Sequence, residues 1–216
     1  MFLLFCIFAP QTHDVFMEVS VFRNFWDKEP RGSTLEAMVE AIRTDERTRE
    51  LTSGYRRQRL DALKNESMLF AVPCVFEGGK AQKHVVRLTG LSLVDFDHVD
   101  PSPDPSPAGA GNGCADMRQK IVSDPHTLLC YTTISGEGLR VLFRYELDEG
   151  FELKQQMQFY KKAFAVGNAY YERLTGAVSH CKGTNYFAYR KDSFQIMKYT
   201  NEHAVTAGIY LLPFRS

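Results

Sequence analysis

The chain has no C-x-x-C pair, no glycine-rich nucleotide loop and no excess of charge of either sign. Each absence removes a class of function. Five cysteines, at Cys6, Cys74, Cys114, Cys130 and Cys181, are odd in number and scattered. That usage fits a reducing compartment and argues against a disulfide scaffold or a zinc site. Lys plus Arg and Asp plus Glu both count 26. Bulk coating of nucleic acid is therefore disfavoured, while a local basic groove stays open. Neither a Walker A loop nor G-x-G-x-x-G occurs, and the ATPase and dinucleotide readings fall with them. The apolar start, Met1 to Phe8, lacks a basic flank and is far shorter than the ~18 residues that mark a spanning helix. The expectation is a cytoplasmic protein with no membrane role. Residues 1–16 read as an apolar extension or a misassigned start, because Met17 opens a cleaner globular pattern.

What is present is a chain of 216 residues, 44% apolar and 24% charged, enough for one domain with a sizeable core. Val19–Phe22 alternates as a first strand. Ser33-Thr34 with Glu36 caps a helix over 35–43, and a highly charged second helix spans 45–64 with a break near Gly54. Its Arg56-Arg57-Gln-Arg59 cluster is the densest positive patch, readable as a solvated helix face or as a phosphate contact. Strands follow over 68–76, interrupted by Pro73, and over 88–97. Residues 100–113, rich in Pro, Gly and Ser, read as a flexible loop. A helix over 115–123, a hairpin of strands 126–134 and 139–146 around Ser135–Gly138, and a long helix over 151–174 stopped by Thr175-Gly176 come next. A last strand is placed over 185–190. Antiparallel hairpins mixed with covering helices make the fold class α+β rather than doubly wound.

The stretch around which these elements are arranged is Leu91–Val99, an apolar run carrying Asp95 and Asp97. Residues two apart on a strand share a face. Two such carboxylates repel by roughly 1 kcal/mol in water and about 4 kcal/mol at a protein-like dielectric. A hard cation such as Mg²⁺ or Mn²⁺ relieves that repulsion. Otherwise Asp95 caps the strand end and Asp97 starts a turn.

Three features in succession are more specific: Val-Asp95-Phe-Asp97-His, then Thr132-Thr-Ile-Ser135-Gly136-Glu-Gly138-Leu-Arg140, then the long helix ending Tyr170 to Gly176 ahead of Cys181-Lys182. Over about Met17 to Ala204 this succession resembles the archaeo-eukaryotic primase superfamily. Within it the likeness is to the VirE-associated primase-polymerase-like N-terminal domain of bacterial mobile elements, notably of Bacteroidetes. The resemblance implies an RRM-like catalytic core with an adjoining N-terminal α/β unit over 17–204, and a tail over 205–216 that stops short of a helicase-like domain.

The resemblance also implies a metal-dependent nucleotidyltransferase of DNA replication. Asp95 and Asp97 would be the catalytic metal ligands for Mg²⁺ or Mn²⁺, and Ser135, Gly136, Gly138 and Arg140 would hold the nucleotide triphosphate. A DNA template and a helicase-like ATPase, in cis or in trans, are the implied partners. For Ser135–Gly138 the plain alternative is a hairpin turn, and for Arg140 an exposed strand charge. The chain departs from the family pattern at the third acid, where Ala177-Val-Ser-His180 has no carboxylate. His180 suits Mn²⁺ better than Mg²⁺; Glu137, Asp192 and Asp100 are the candidate carboxylates, and none follows the family position. His98 reads as a structural histidine on the opposite face. The enzyme reading therefore stands beside two others: a catalytically degenerate module that binds nucleotide or single-stranded DNA, and a metal-dependent nuclease.

Overall fold

The computed structural model describes residues 17–97, 99, 112–147, 150–179 and 197–198. The expected extension over 1–16, His98, all but the last two residues of the loop expected over 100–113, the strand over 185–190 and the tail over 205–216 lie outside the described residues. So do Asp100, His180, Cys181, Lys182 and Asp192. Asn112 and Gly113 belong to a helix.

Strand β1 (Glu18–Phe22) pairs antiparallel with β2 (Arg31–Thr34), which lacks apolar alternation and is not apparent from the sequence. Thr34 Oγ1 accepts from the Ala37 N–H at 3.1 Å and caps α1 (Leu35–Thr44). The apolar residues Leu35, Met38, Val39 and Ile42 recur at helical spacing, and all four are buried. Asp45 caps α2 (Glu46–Gln58) by accepting from the Thr48 N–H at 2.6 Å.

The break expected at Gly54 falls instead at Arg59, which takes a left-handed φ of 55° before α3 (Asp61–Glu66). Gly54 stays inside α2 for a packing reason. A Cβ there would meet Leu63 Cδ1 at 3.1 Å, so the missing side chain lets α3 fold back onto α2.

Beyond α3, β3 (Leu69–Ala71) completes a four-stranded sheet, β2-β1-β3-β9, with β9 (Met197–Lys198) at its edge. Pro73 separates β3 from β4 (Cys74–Phe76), which pairs with β5 (Val85–Leu88). The single strand expected over 88–97 is divided at Thr89-Gly90, where Gly90 has φ 76°. Its second part is β6 (Leu91–Phe96), buried throughout.

The remaining elements are α4 (Asn112–Ser123), β7 (Thr127–Thr132), β8 (Leu139–Arg144) and α5 (Leu153–Thr175). α4 begins ahead of the expected Ala115. α5 opens on a capping box of Glu152 and Gln155 and ends at Gly176 with φ 75°, the stop its glycine predicts.

The three-stranded sheet runs β6-β8-β7, with β8 antiparallel to both neighbours, so β6 and β7 are parallel and α4 is their crossover. One face of this sheet, Val94, Phe96, Leu139, Val141 and Phe143, packs on Met117 and Ile121 of α4 and Tyr171 of α5. The other face, with Leu91, Leu93, Leu129, Tyr131 and Leu142, shares a core with α1 and with Val19 and Phe70 of the four-stranded sheet. The chain is thus mixed α and β.

Candidate functional site

Strand alternation places Asp95 on the α1-side face, after Leu91 and Leu93. In the ladder Asp95 lies opposite Arg140, and Arg140 lies opposite Tyr131, which sets the three in one row across β6, β8 and β7. Asp95 Oδ2 accepts from Arg140 Nε at 3.1 Å and from Nη2 at 2.9 Å. Both partners are withdrawn from water, with side-chain exposures of 17% for Arg140 and 7% for Asp95.

Burial opposes the charge on Arg140, but the Asp95 carboxylate and the Tyr131 phenol outweigh it and raise its pKa above the ordinary value. Burial pushes the Tyr131 phenol upward too, against the pull of Arg140. The row is therefore a charged pair with a neutral tyrosine beside it. Asp95 Oδ1 is buried and has no hydrogen-bond partner, a costly condition for a carboxylate oxygen. Asp97, one residue past the end of β6, is exposed.

The turn from β7 to β8 closes over the same end of the sheet. Gly136 has φ 77°, and its N–H donates to the Thr133 carbonyl at 2.9 Å. Ser135 Oγ shares a hydrogen bond with Thr133 Oγ1 at 3.0 Å and accepts from the Glu137 N–H at 3.2 Å. The amides of Gly136 and Glu137 are thus engaged inside the turn. A Cβ at Gly138 would fall 2.5 Å from the Phe96 carbonyl oxygen, which explains that glycine by its closeness to the end of β6.

Two arginines of the basic cluster hold the turn from outside. Arg56 donates from Nε to the Ile134 carbonyl and from Nη2 to the Thr133 carbonyl, both at 3.4 Å. Arg59 donates from Nη1 to the Ser135 carbonyl at 3.2 Å and from Nη2 to Glu137 Oε1 at 2.5 Å. The left-handed backbone at Arg59 turns the chain at this contact. Arg57 remains exposed. Glu137, weighed as a third acid, is bound to Arg59.

Asp95 and Arg140 are thus joined directly at one sheet end, with Gly138 against the Phe96 carbonyl, Ser135 and Gly136 in the adjoining turn and Asp97 just beyond the strand. Two further residues belong here and carry no motif. Tyr131 reads in sequence as an ordinary inward strand residue. Arg118 of α4 donates from Nη2 to Thr132 Oγ1 at 2.8 Å and brings another cation to the end of β7. The basic cluster at 56–59 stood out in sequence as a solvated face or a phosphate contact, whereas Arg56 and Arg59 bond the hairpin.

Hard divalent cations take oxygen ligands, and the strand end carries two carboxylates. Asp95 Oδ1 is a buried carboxylate oxygen without a donor, and Asp97 supplies a second carboxylate two residues on. Asp95 Oδ2 is already neutralised by Arg140. Among the described residues no group of three His, Cys, Asp or Glu side chains gathers to hold a metal. Among them, too, no helix is long and apolar enough to cross a membrane.

No curated protein and no solved structure matches the chain. A family model does: BT4734-like, N-terminal domain, over residues 63–186. That span runs from α3 through the three-stranded sheet, its hairpin and α5, and covers more than half of the 216 residues. On that match the chain belongs to the BT4734-like, N-terminal domain family.

Proposed function

We propose that this chain is a metal-dependent, primase-polymerase-like nucleotidyltransferase domain, a relative of the VirE-associated domains, acting in DNA replication of a mobile element. One observation carries the reading. The Asp95/Asp97 strand end and the Ser135–Gly138 turn, separate in sequence, close on one another where Gly138 meets the Phe96 carbonyl. The order β6-α4-β7-β8-α5, with β8 between two parallel strands, supports an RRM-like core, because it follows the β-α-β-β-α-β unit up to its last strand.

In this reading Asp95 Oδ1 and Asp97 hold Mg²⁺ or Mn²⁺. The cation would offset the charge that develops on a nucleotide triphosphate during transfer. The chain's own cations supply the rest. With the Gly136 and Glu137 amides engaged, phosphate contact falls to the guanidinium of Arg140, with Arg118 at the adjoining strand end and Ser135 Oγ in the turn. Arg56 and Arg59 position the turn. The reaction partners are a nucleotide triphosphate and a DNA template, with a helicase-like ATPase in cis or in trans.

A second reading, a module that binds nucleotide or single-stranded DNA without chemistry, is favoured by the Arg140 clamp on Asp95 and by the two-acid donor set. Template-directed incorporation with Mn²⁺ separates the two. Asp97→Asn is the informative variant, because Asp97 is exposed and its loss leaves the buried pair intact. Product from the wild type and none from Asp97→Asn supports the enzyme. Nucleotide binding that persists in EDTA without product supports the binding module. Equal product from both proteins refutes the assignment of Asp97.

A further inference from the structure

Away from the Asp95 end of the sheet, β5 and the first half of α5 enclose an open groove of about 900 Å³. Its floor is apolar, made by Val85, Leu153 and Met157, and its rim carries Lys83, Lys154 and Lys161, with no carboxylate among the described lining residues. In a chain of zero formal net charge, such one-sided lining is a local concentration of positive charge. Lys154 also stands in the first turn of α5, where a cation opposes the helix dipole. Its placement runs against what helix stability alone favours.

An exposed aromatic is linked to the groove wall through Phe25 and Lys80. Trp26 is 54% exposed and packs edge-on against Phe25 at 6.3 Å between ring centroids. Lys80, which immediately precedes the groove wall at Ala81, lies over the Phe25 ring at 4.9 Å and donates to the Phe25 carbonyl. The loop presenting Trp26 is tied by its own hydrogen bonds. Asn24 Oδ1 accepts from the N–H groups of Trp26 and Asp27, at 3.0 and 2.9 Å, and the Asp27 carboxylate accepts from the Arg23 and Glu29 N–H groups.

Lysines along an apolar trough, with an exposed indole linked to its wall through Phe25 and Lys80, match the chemistry that tracks a single nucleic-acid strand: cations on the phosphates, flat apolar surface and a ring for the bases. We propose that the β5–α5 groove is a binding site for single-stranded nucleic acid, with Lys83, Lys154 and Lys161 on the backbone and Trp26 stacking a base. A duplex, with its base faces buried in the stack, makes no use of the apolar floor. The site is separate from the Asp95 end and needs neither metal nor nucleotide.

Trp26 is the chain's only tryptophan, so the indole fluorescence reports its surroundings alone. Titration with an oligodeoxythymidylate in EDTA should quench it. The variant Lys83→Ala/Lys154→Ala/Lys161→Ala should lose most of the affinity at low salt. It should also lower the slope of log affinity against log salt by about 0.7 for each phosphate contact removed. An unchanged circular-dichroism spectrum shows that the surface variant is folded. Binding equal to wild type in the lysine variant, or binding without any change in Trp26 fluorescence, overturns the proposal. Preference for an acidic peptide, or for duplex over single strand at equal salt, overturns it as well. Because metal is absent, loss of incorporation by Asp97→Asn has no bearing on this result, and failure here leaves the nucleotidyltransferase reading untouched.

Discussion

The two faces of the three-stranded sheet are built to different rules. The helix-side face packs Val94, Phe96, Leu139, Val141 and Phe143 on α4 and α5 through Met117, Ile121 and Tyr171, and its polar members, Ser92, Thr127 and Thr132, are uncharged. The α1-side face starts in the same way, with Leu91, Leu93, Leu129 and Leu142, and then gives its last row to Asp95, Arg140 and Tyr131. A buried ion pair costs desolvation that hydrophobic residues of similar size avoid. The sheet therefore gives up packing at one row of one face, and that row lies beneath the glycine turn. The difference separates what holds the fold from what the sheet presents.

Removing one member of the polar row should have the largest effect. Arg140→Leu leaves the Asp95 carboxylate buried with neither oxygen paired among the described residues. A loss of about 3–5 kcal/mol in unfolding free energy follows, measured in urea. Asp95→Leu combined with Arg140→Leu should restore most of that stability while abolishing nucleotide binding. If the single substitution costs under about 1 kcal/mol, the row is solvated enough to belong to the surface, and the contrast between the faces dissolves.

On the apolar face the corresponding break is steric. A Cβ at Gly167 in α5 would fall 2.0 Å from Phe143 Cζ, so helix and sheet touch there with no room for a methyl group. Gly167→Ala should cost about 1–3 kcal/mol by overpacking, despite alanine's better helix propensity. Phe143→Leu in the same chain should recover part of it. Nucleotide binding should survive in Gly167→Ala where it fails in Arg140→Leu, which is the sharpest way to tell the faces apart.

High pH tests both faces together. Burial and the hydrogen bond it donates to Asp124 Oδ2, at 2.5 Å, push the Tyr170 hydroxyl up to about 12. Burial raises Tyr171 on the helix side and Tyr131 in the polar row as well. An unfolded tyrosine titrates near ~10. The folded pKa is the higher one, so the stabilisation is complete below about pH 10 and is lost as pH rises through the folded value, near 12 for Tyr170. Urea midpoints should fall across that window, and Tyr170→Phe should flatten the fall. A flat profile in the wild type would mean that these hydroxyls are open to water.

Much of this architecture was legible where one residue carries the signal. Gly176 stops α5 because glycine accepts φ 75° without penalty. Leu91–Phe96 reads as a buried strand because Leu91, Leu93, Val94 and Phe96 leave only the small Ser92 as a polar interruption before Asp95. The misses share a cause. The helix breaks at the left-handed Arg59 rather than near Gly54, at a residue whose side chain bonds the hairpin, distant in sequence. β2, Arg31-Gly-Ser-Thr, has no alternation of its own and exists through its pairing with β1. Asp95 and Asp97 could be picked out by spacing, but the Arg140 clamp depends on strand register, which spacing alone does not determine.

The smallest expected effect comes from the second arginine–carboxylate pair. Arg59 and Glu137 bond at 2.5 Å, yet each side chain is 48% exposed. Glu137→Ala should therefore cost no more than about 1 kcal/mol, and less at high salt, because water already solvates both charges. Its consequence is positional. Arg59 also holds the Ser135 carbonyl, so loosening that guanidinium frees the turn that lies on the end of β6. Hydrogen exchange at the Gly136 and Glu137 amides should quicken in Arg59→Ala while the amides of β8 keep their protection. Unchanged exchange in the turn would show that Arg56 and the internal Ser135 and Thr133 bonds suffice to hold it, leaving Arg59 only its charge.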